Sequence, residues 1–128
     1  MSLSALSTLL PGLSYLASPR SPQTPTASAM LTIARSMRRH GAKVFLWTEE
    51  LLLRGIEPDR IGEADPERLT EAYVATIDAV MGADRVIAWP GAWDCATARV
   101  PLGIAKAIGT PIIEVAEVLP ASVLRQAA

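Results

Sequence analysis

The chain is expected to form a single α/β domain, residues 1–128, on an open, mostly parallel sheet of four to five strands flanked by helices. Three observations predict this. Short apolar runs alternate with longer stretches of helical periodicity, Gly and Pro punctuate the changes from one to the other, and the length suits one core. A chain of this size buries roughly two-thirds of its unfolded surface, so it needs neither disulfides nor metal to fold.

The elements follow in order. Residues 1–12 read as an N-terminal extension, compatible with a short extra helix from about Ser4 to Leu10 and lacking the positive n-region of a signal peptide. Leu13 to Ala17 is a short buried strand, closed by Ser18-Pro19 because proline cannot donate to a sheet ladder. After a Ser/Pro/Thr-rich loop at residues 18–27, Met30, Ile33, Ala34 and Met37 form the apolar stripe of a helix over about 24–40, and Gly41 stops it. Lys43 to Trp47 is a second strand, and Thr48-Glu49-Glu50 starts a short helix followed by a loop through Gly62. Asp65 as cap and Pro66 in the first turn begin a helix to Gly82, with Leu69, Tyr73, Ile77 and Val80 along its apolar face. A strand over Asp84 to Trp89, a helix over Asp94 to Ile108, a strand over Thr110 to Val115 and a helix over Pro120 to Gln126 complete the series. Such alternation implies crossover connections and a flavodoxin-like or Rossmann-like sheet with strand order about 2-1-3-4.

Composition restricts the partners. A net charge of −1 supplies no field to attract a nucleic-acid polymer or an anionic membrane. The lone Cys95 cannot form an internal disulfide, which fits a reducing cytoplasm. With one His it leaves no set of metal ligands, and no cofactor is implied. Half the residues are apolar and a fifth charged, which leaves little polar surface for a small domain and predicts a homo-oligomer, dimer or higher.

In an open parallel sheet, ligands bind beyond the carboxyl ends of the strands where the winding reverses, here between the first and third strands. That rule selects Tyr15 to Ser21, Trp47 to Glu50 and Trp89 to Thr97. Trp47, Trp89 and Trp93 all fall there. Their flat faces suit a nucleobase, since aromatic stacking contributes about 1–3 kcal/mol per base; core or oligomer contacts are the equally simple alternative. Asp94 is placed to cap the following helix, with Gly91 before it and Thr97 in its first turn, so the helix end favours an anion. Cys95 in that turn would gain thiol acidity. No His accompanies it, because His40 falls at the far end of another helix, where it complements a C-terminus. Arg20 and Arg99 can offer bidentate contacts to a phosphate, and Tyr15, Ser18 and Ser21 can hydrogen-bond a sugar. Their plainer readings are surface cations and ordinary turn residues. Asp84, at a strand entrance, reads as structural.

Tyr15-Leu16-Ala17-Ser18-Pro19-Arg20-Ser21 resembles the opening of small bacterial and phage proteins of the nucleoside 2-deoxyribosyltransferase-like superfamily. A second stretch, Ala83 to Gly91, then Ala98-Arg99, then Ala105 to Ile113, resembles the tail motif of that group. The resemblance implies chemistry at an N-glycosidic bond, in which a glutamate attacks C1′ of a nucleoside or nucleotide and an aspartate assists the departing base. Carried across without gaps, the glutamate position falls on Pro101 and the aspartate position on Thr76. Asp78, two residues on, is rotated roughly 200° around the helix. Pro101 inside a helix also removes a hydrogen bond at a cost of about 3 kcal/mol, which predicts a kinked or late-starting helix.

Three functions remain open at this point. The first is a nucleoside- or nucleotide-binding domain without the usual catalysis. The second is an active N-glycosidase or deoxyribosyltransferase that uses other carboxylates, drawn from Glu49, Glu50, Glu71 and Asp94. The third is a structural or assembly protein with a vestigial site, its tryptophans serving as contact surfaces.

Overall fold

The computed structural model describes residues 11–19 and 26–119. The expected extra helix at residues 4–10, the closing helix at 120–126, and Arg20 and Ser21 lie outside them. The described chain is α/β, with a four-stranded, all-parallel sheet in the order β2-β1-β3-β4. Its strands are β1 (Leu13–Ala17), β2 (Lys43–Leu46), β3 (Arg85–Ala88) and β4 (Ile112–Glu114). The helices are α1 (Ala27–Arg39), α2 (Trp47–Leu53), α3 (Pro66–Gly82), α4 (Ala96–Ile108) and α5 (Val115–Val118), with 3-10 turns at Pro58–Glu63 and Ala92–Asp94.

The two-residue period of the strands divides the core. Leu16, Val44, Leu46 and Ile87 face one way and pack with Met30, Ile33 and Met37 of α1 and with Val115 and Val118 of α5. Tyr15, Ala17, Val86 and Ala88 face the other way, against Val80 of α3 and Ala98, Leu102 and Ala105 of α4. Both sheet faces are therefore covered, which is why β1 and β3 read as continuous apolar runs without polar alternation.

The strand entrances are fixed by local chemistry. The Asp84 carboxylate accepts the Leu13 N–H at 2.8 Å, while the Asp84 N–H donates to the Leu13 carbonyl at 2.9 Å. Gly12, at φ +80°, passes so close that a Cβ there would lie 1.9 Å from Asp84 Oδ2. Arg85 donates to the buried Ser14 hydroxyl at 3.0 Å and to the Pro11 carbonyl at 2.6 Å. Asp84 is structural, in accord with its place at a strand entrance.

α1 buries Met30, Ile33, Ala34 and Met37, the stripe read from the sequence, together with Ala29. Thr26 caps it by accepting the Ala29 N–H at 3.0 Å, and His40 Nδ1 meets the Ser36 carbonyl at 2.8 Å at the other end. Arg38 reaches from the last turn to the Val44 carbonyl at 3.1 Å and to both carboxylate oxygens of Glu49, one of them at 2.6 Å. That pairing raises the Arg38 pKa and binds α1 to α2.

Four expectations need correction. β2 ends at Leu46, and Trp47 opens α2 with no intervening residue. α3 is rotated from the expected stripe: Ala72, Thr76 and Val80 face inward, while Tyr73 and Ile77 are exposed and Leu69 is half-buried. Thr76 and Val80 lie against Tyr15 and Ala72 against Trp47, Leu51 and Ile56, while Tyr73 stacks on Trp47 with ring centres 5.0 Å apart. Asp65 holds the cap position of α3, but its side chain makes no capping hydrogen bond. α4 begins at Ala96 with Cys95 as its cap residue, because Gly91, at φ +83°, leads the chain into the 3-10 turn that contains Asp94. Asp94 therefore does not cap α4.

Candidate functional site

A cleft of about 600 Å³ opens at the carboxyl end of β1, where the winding of the sheet reverses. β1 and the turn after it supply Tyr15 to Pro19. The start of α1 supplies Thr26, Ala27, Ser28 and Met30. The β2–α2 junction supplies Leu46, Trp47 and Thr48, the 3-10 turn contributes Pro58 and Asp59, and α4 contributes Thr97, Ala98 and Pro101. The cleft thus lies between helices from opposite faces of the sheet.

Four residues selected from the sequence line it: Tyr15, Ser18, Trp47 and Thr97. Five others do not. Trp89 is 3% exposed and belongs to the core beneath α1 and α5. Gly91, Trp93, Asp94 and Cys95 occupy the turn from β3 to α4, with Trp93 exposed and Cys95 half-buried against Ala98 and Leu102. Arg99 is exposed on α4 and also lies outside the lining. Thr48, within the selected Trp47 to Glu50 segment, also lines the cleft, and Thr26, Ser28 and Asp59 line it without having been singled out. Thr26 carried a usable signal, a hydroxyl residue just before an apolar helical stripe; Asp59 sits in a region whose sequence has no clear period.

Tyr15 is the floor of this site. Its ring stacks on Phe45 with centres 5.3 Å apart and is almost wholly buried. Burial raises the phenol pKa well above its usual range, so the hydroxyl stays neutral throughout the physiological interval. Thr76 Oγ1 faces the phenol and partly offsets that rise, although no hydrogen bond of full geometry joins them. Thr76 is thus buried against Tyr15, while Asp78 projects from the outer side of α3, as its rotation around the helix requires.

Pro101 is buried in the cleft wall. α4 nevertheless runs from Ala96 to Ile108 as one helix, so Pro101 lies inside it and does not break it. The ring occupies the side of α4 that carries Thr97 and Ala98 toward the cleft, one turn earlier.

Polar groups set what the cleft can hold. Neither α1 nor α4 has an acidic residue in its first turn, and the first turns of both line the cavity. The two positive helix ends favour an anion, with the hydroxyls of Ser18, Ser28, Thr48 and Thr97 around it. Of the carboxylates named as substitutes, Glu49 is held by Arg38 and Glu50 and Glu71 by Arg54 at 2.9 and 3.0 Å, while Asp94 lies in the turn from β3 to α4, outside the lining. Among the described residues, Asp59 is the carboxylate that lines the cleft. No described helix is long and apolar enough to cross a membrane. Comparison of the chain with protein-family models, with curated proteins and with solved structures returned no match.

Proposed function

We propose that the cleft binds a nucleoside or nucleoside monophosphate and does not break its glycosidic bond through a glutamate nucleophile. The observation that carries this reading is the position of Pro101. The residue at which the resemblance expects the attacking carboxylate is part of the cleft wall, and it has neither a nucleophilic oxygen nor an acidic proton. Thr76 stands where the assisting aspartate is expected, and its hydroxyl cannot serve as the acid at neutral pH. Loss of a positioned acid alone costs about 10²- to 10⁴-fold in rate, and loss of the nucleophile removes the covalent route.

Binding is supported by features that survive those replacements. The Tyr15 to Pro19 stretch forms one side of a cavity in the size range of small-molecule sites. Hydroxyls and two helix ends suit sugar and phosphate oxygens, and Trp47 offers an aromatic edge. A thermal-shift titration with nucleosides and nucleoside monophosphates tests the reading, since a ligand at 100 times its Kd stabilises by about 2.7 kcal/mol. Absence of any shift at millimolar ligand overturns it.

Asp59 favours a second reading, an N-glycosidase that draws its carboxylate from the 3-10 turn. Chromatographic assay of base release and base exchange separates the two. Release by the unaltered chain that is lost in Asp59→Asn establishes the second reading; absence of release across purine and pyrimidine substrates removes it.

A further inference from the structure

The Tyr15 hydroxyl meets different surroundings on its two sides. The residue is 2% exposed and lines the cleft, and its hydroxyl makes no hydrogen bond of full geometry to a described residue. Among the described residues, the side-chain polar atoms both sealed from solvent and without a partner are Trp47 Nε1, Thr76 Oγ1 and Trp89 Nε1; the Tyr15 hydroxyl is not one of them. It therefore keeps a narrow opening, and the cavity that Tyr15 lines is where that opening leads. On the other side the ring packs beneath α3 next to Val80, and Thr76 lies one turn earlier on the same inward face.

Thr76 differs from the other threonines on helix surfaces. A hydroxyl inside a helix commonly donates to the carbonyl four residues back. Thr32 does so to Ser28 at 3.1 Å and Thr70 to Pro66 at 2.8 Å. Thr76 makes no such bond to Ala72, although its hydroxyl is buried. The polar atom that faces it is the Tyr15 oxygen. Two protons and two oxygens admit two arrangements here. If Tyr15 donates to Thr76, the threonine proton is left without an acceptor on the apolar inner face of α3, a penalised state for any buried donor. If Thr76 donates to Tyr15, the threonine proton is used and the phenol proton turns toward the cleft.

We propose that Thr76 is a positioning residue: its hydroxyl donates to the Tyr15 oxygen and so presents the Tyr15 O–H to the cleft as a donor, which selects ligands with a hydrogen-bond acceptor at the floor. The selection rests on the reading of the cleft as a nucleoside site; the pairing of Thr76 with Tyr15 does not. A base amino group at the floor sets donor against donor and leaves one proton unpaired. A site built around one hydrogen bond rejects such a mismatch far more strongly than an apolar pocket rejects an extra methylene. A base carbonyl and a sugar oxygen are the two sources of the acceptor in a nucleoside.

Titration calorimetry of the full chain with uridine against cytidine, inosine against adenosine, and uridine against its 2′-deoxy and 3′-deoxy analogues tests the selection. A roughly tenfold preference for the carbonyl member of the base pairs places the base at the floor, and a similar loss confined to a deoxy analogue places the sugar there. Equal affinities throughout overturn the selection. Tyr15→Phe should abolish the preference, Thr76→Val should weaken it, and Thr76→Ser should keep it. The double variant should bind no more weakly than Tyr15→Phe alone, because Thr76 acts through the phenol; effects that multiply in full overturn the proposal. The pair is also read without ligand, from the carbon-13 Cζ signal of Tyr15 in a chain labelled at its two tyrosines and assigned with Tyr15→Phe. Thr76→Val should move that signal and Thr76→Ser should not. A signal indifferent to Thr76→Val overturns the pairing whatever the cleft binds. A moved signal in a chain that binds no nucleoside upholds the pairing and overturns the reading of the cleft.

Discussion

Pro101 sets two magnitudes against each other. As a proline in a helix interior it forfeits the hydrogen bond to the Thr97 carbonyl and crowds that turn, at about 3 kcal/mol. As a buried ring it excludes water from the wall of the cleft, and losing two of its methylenes to alanine costs about 1.6 kcal/mol. Pro101→Ala is therefore expected to raise the unfolding free energy by about 1 kcal/mol, read from urea denaturation. A fall in stability would mean that the ring's packing outweighs the backbone term. Tyr15 gives a residue-scale prediction of a different kind. Its phenol titrates higher in the folded chain than in the unfolded one, so below pH 10, near the unfolded value, both states are neutral and its contribution is constant. Above pH 10 the unfolded state releases its proton first, and stability falls by up to about 1.36 kcal/mol per pH unit until the folded phenol ionises. Denaturation midpoints between pH 9 and 11 should drop more steeply in the unaltered chain than in Tyr15→Phe, whereas identical slopes would place the phenol in contact with water.

At the scale of elements, the start of α1 links folding to the site. Thr26 accepts the Ala29 N–H and also lines the cleft, so one side chain caps the helix and shapes the cavity. Thr26→Ala should cost about 1 kcal/mol of stability, the usual value for a lost N-cap. Thr26→Ser keeps the oxygen and should retain most of it, which distinguishes the cap from the threonine methyl. The stripe of α1 was readable because its apolar residues recur at one spacing and Arg38 and Arg39 close the last turn. α3 was misread for an equally physical reason: two stripes, Leu69-Tyr73-Ile77-Val80 and Ala72-Thr76-Val80, share a member and lie close together around the helix. Hydrophobicity favoured the first. Packing chose the second, because Thr76 and Val80 fit beside Tyr15, Ala72 packs with Trp47, Leu51 and Ile56, and Tyr73 stacks on Trp47. The cap of α4 was misplaced because Gly91 allows a left-handed turn that moves the helix start two residues past Asp94.

For the molecule as a whole, strand order was legible because alternating elements admit few arrangements of a parallel sheet, whereas the cleft at the carboxyl end of β1 takes its lining from the β2 side and from α4 and none from β3. The lining of the crevice was only partly legible. Tyr15, Ser18 and Trp47 belong to strand ends, where the rule for parallel sheets applies, whereas Asp59 arrives from a 3-10 turn whose path depends on Trp47, Leu51 and Ile56 packing against Ala72. That assembly leads to the last prediction. Because α1 and α4 approach the cleft from opposite faces, an anion held there touches both layers of the domain at once. Each helix end contributes about 0.3–1 kcal/mol to binding a negative charge, so a nucleoside monophosphate should bind about 3- to 30-fold more tightly than its nucleoside. Added salt should erode that preference while leaving the affinity of the nucleoside nearly unchanged, because screening acts on the phosphate and not on the neutral sugar. Isothermal titration of one nucleoside and its monophosphate at two ionic strengths measures both effects. Equal affinities at low salt would mean that the helix ends do not meet the phosphate, and that the charged end of the ligand points out of the cleft toward water.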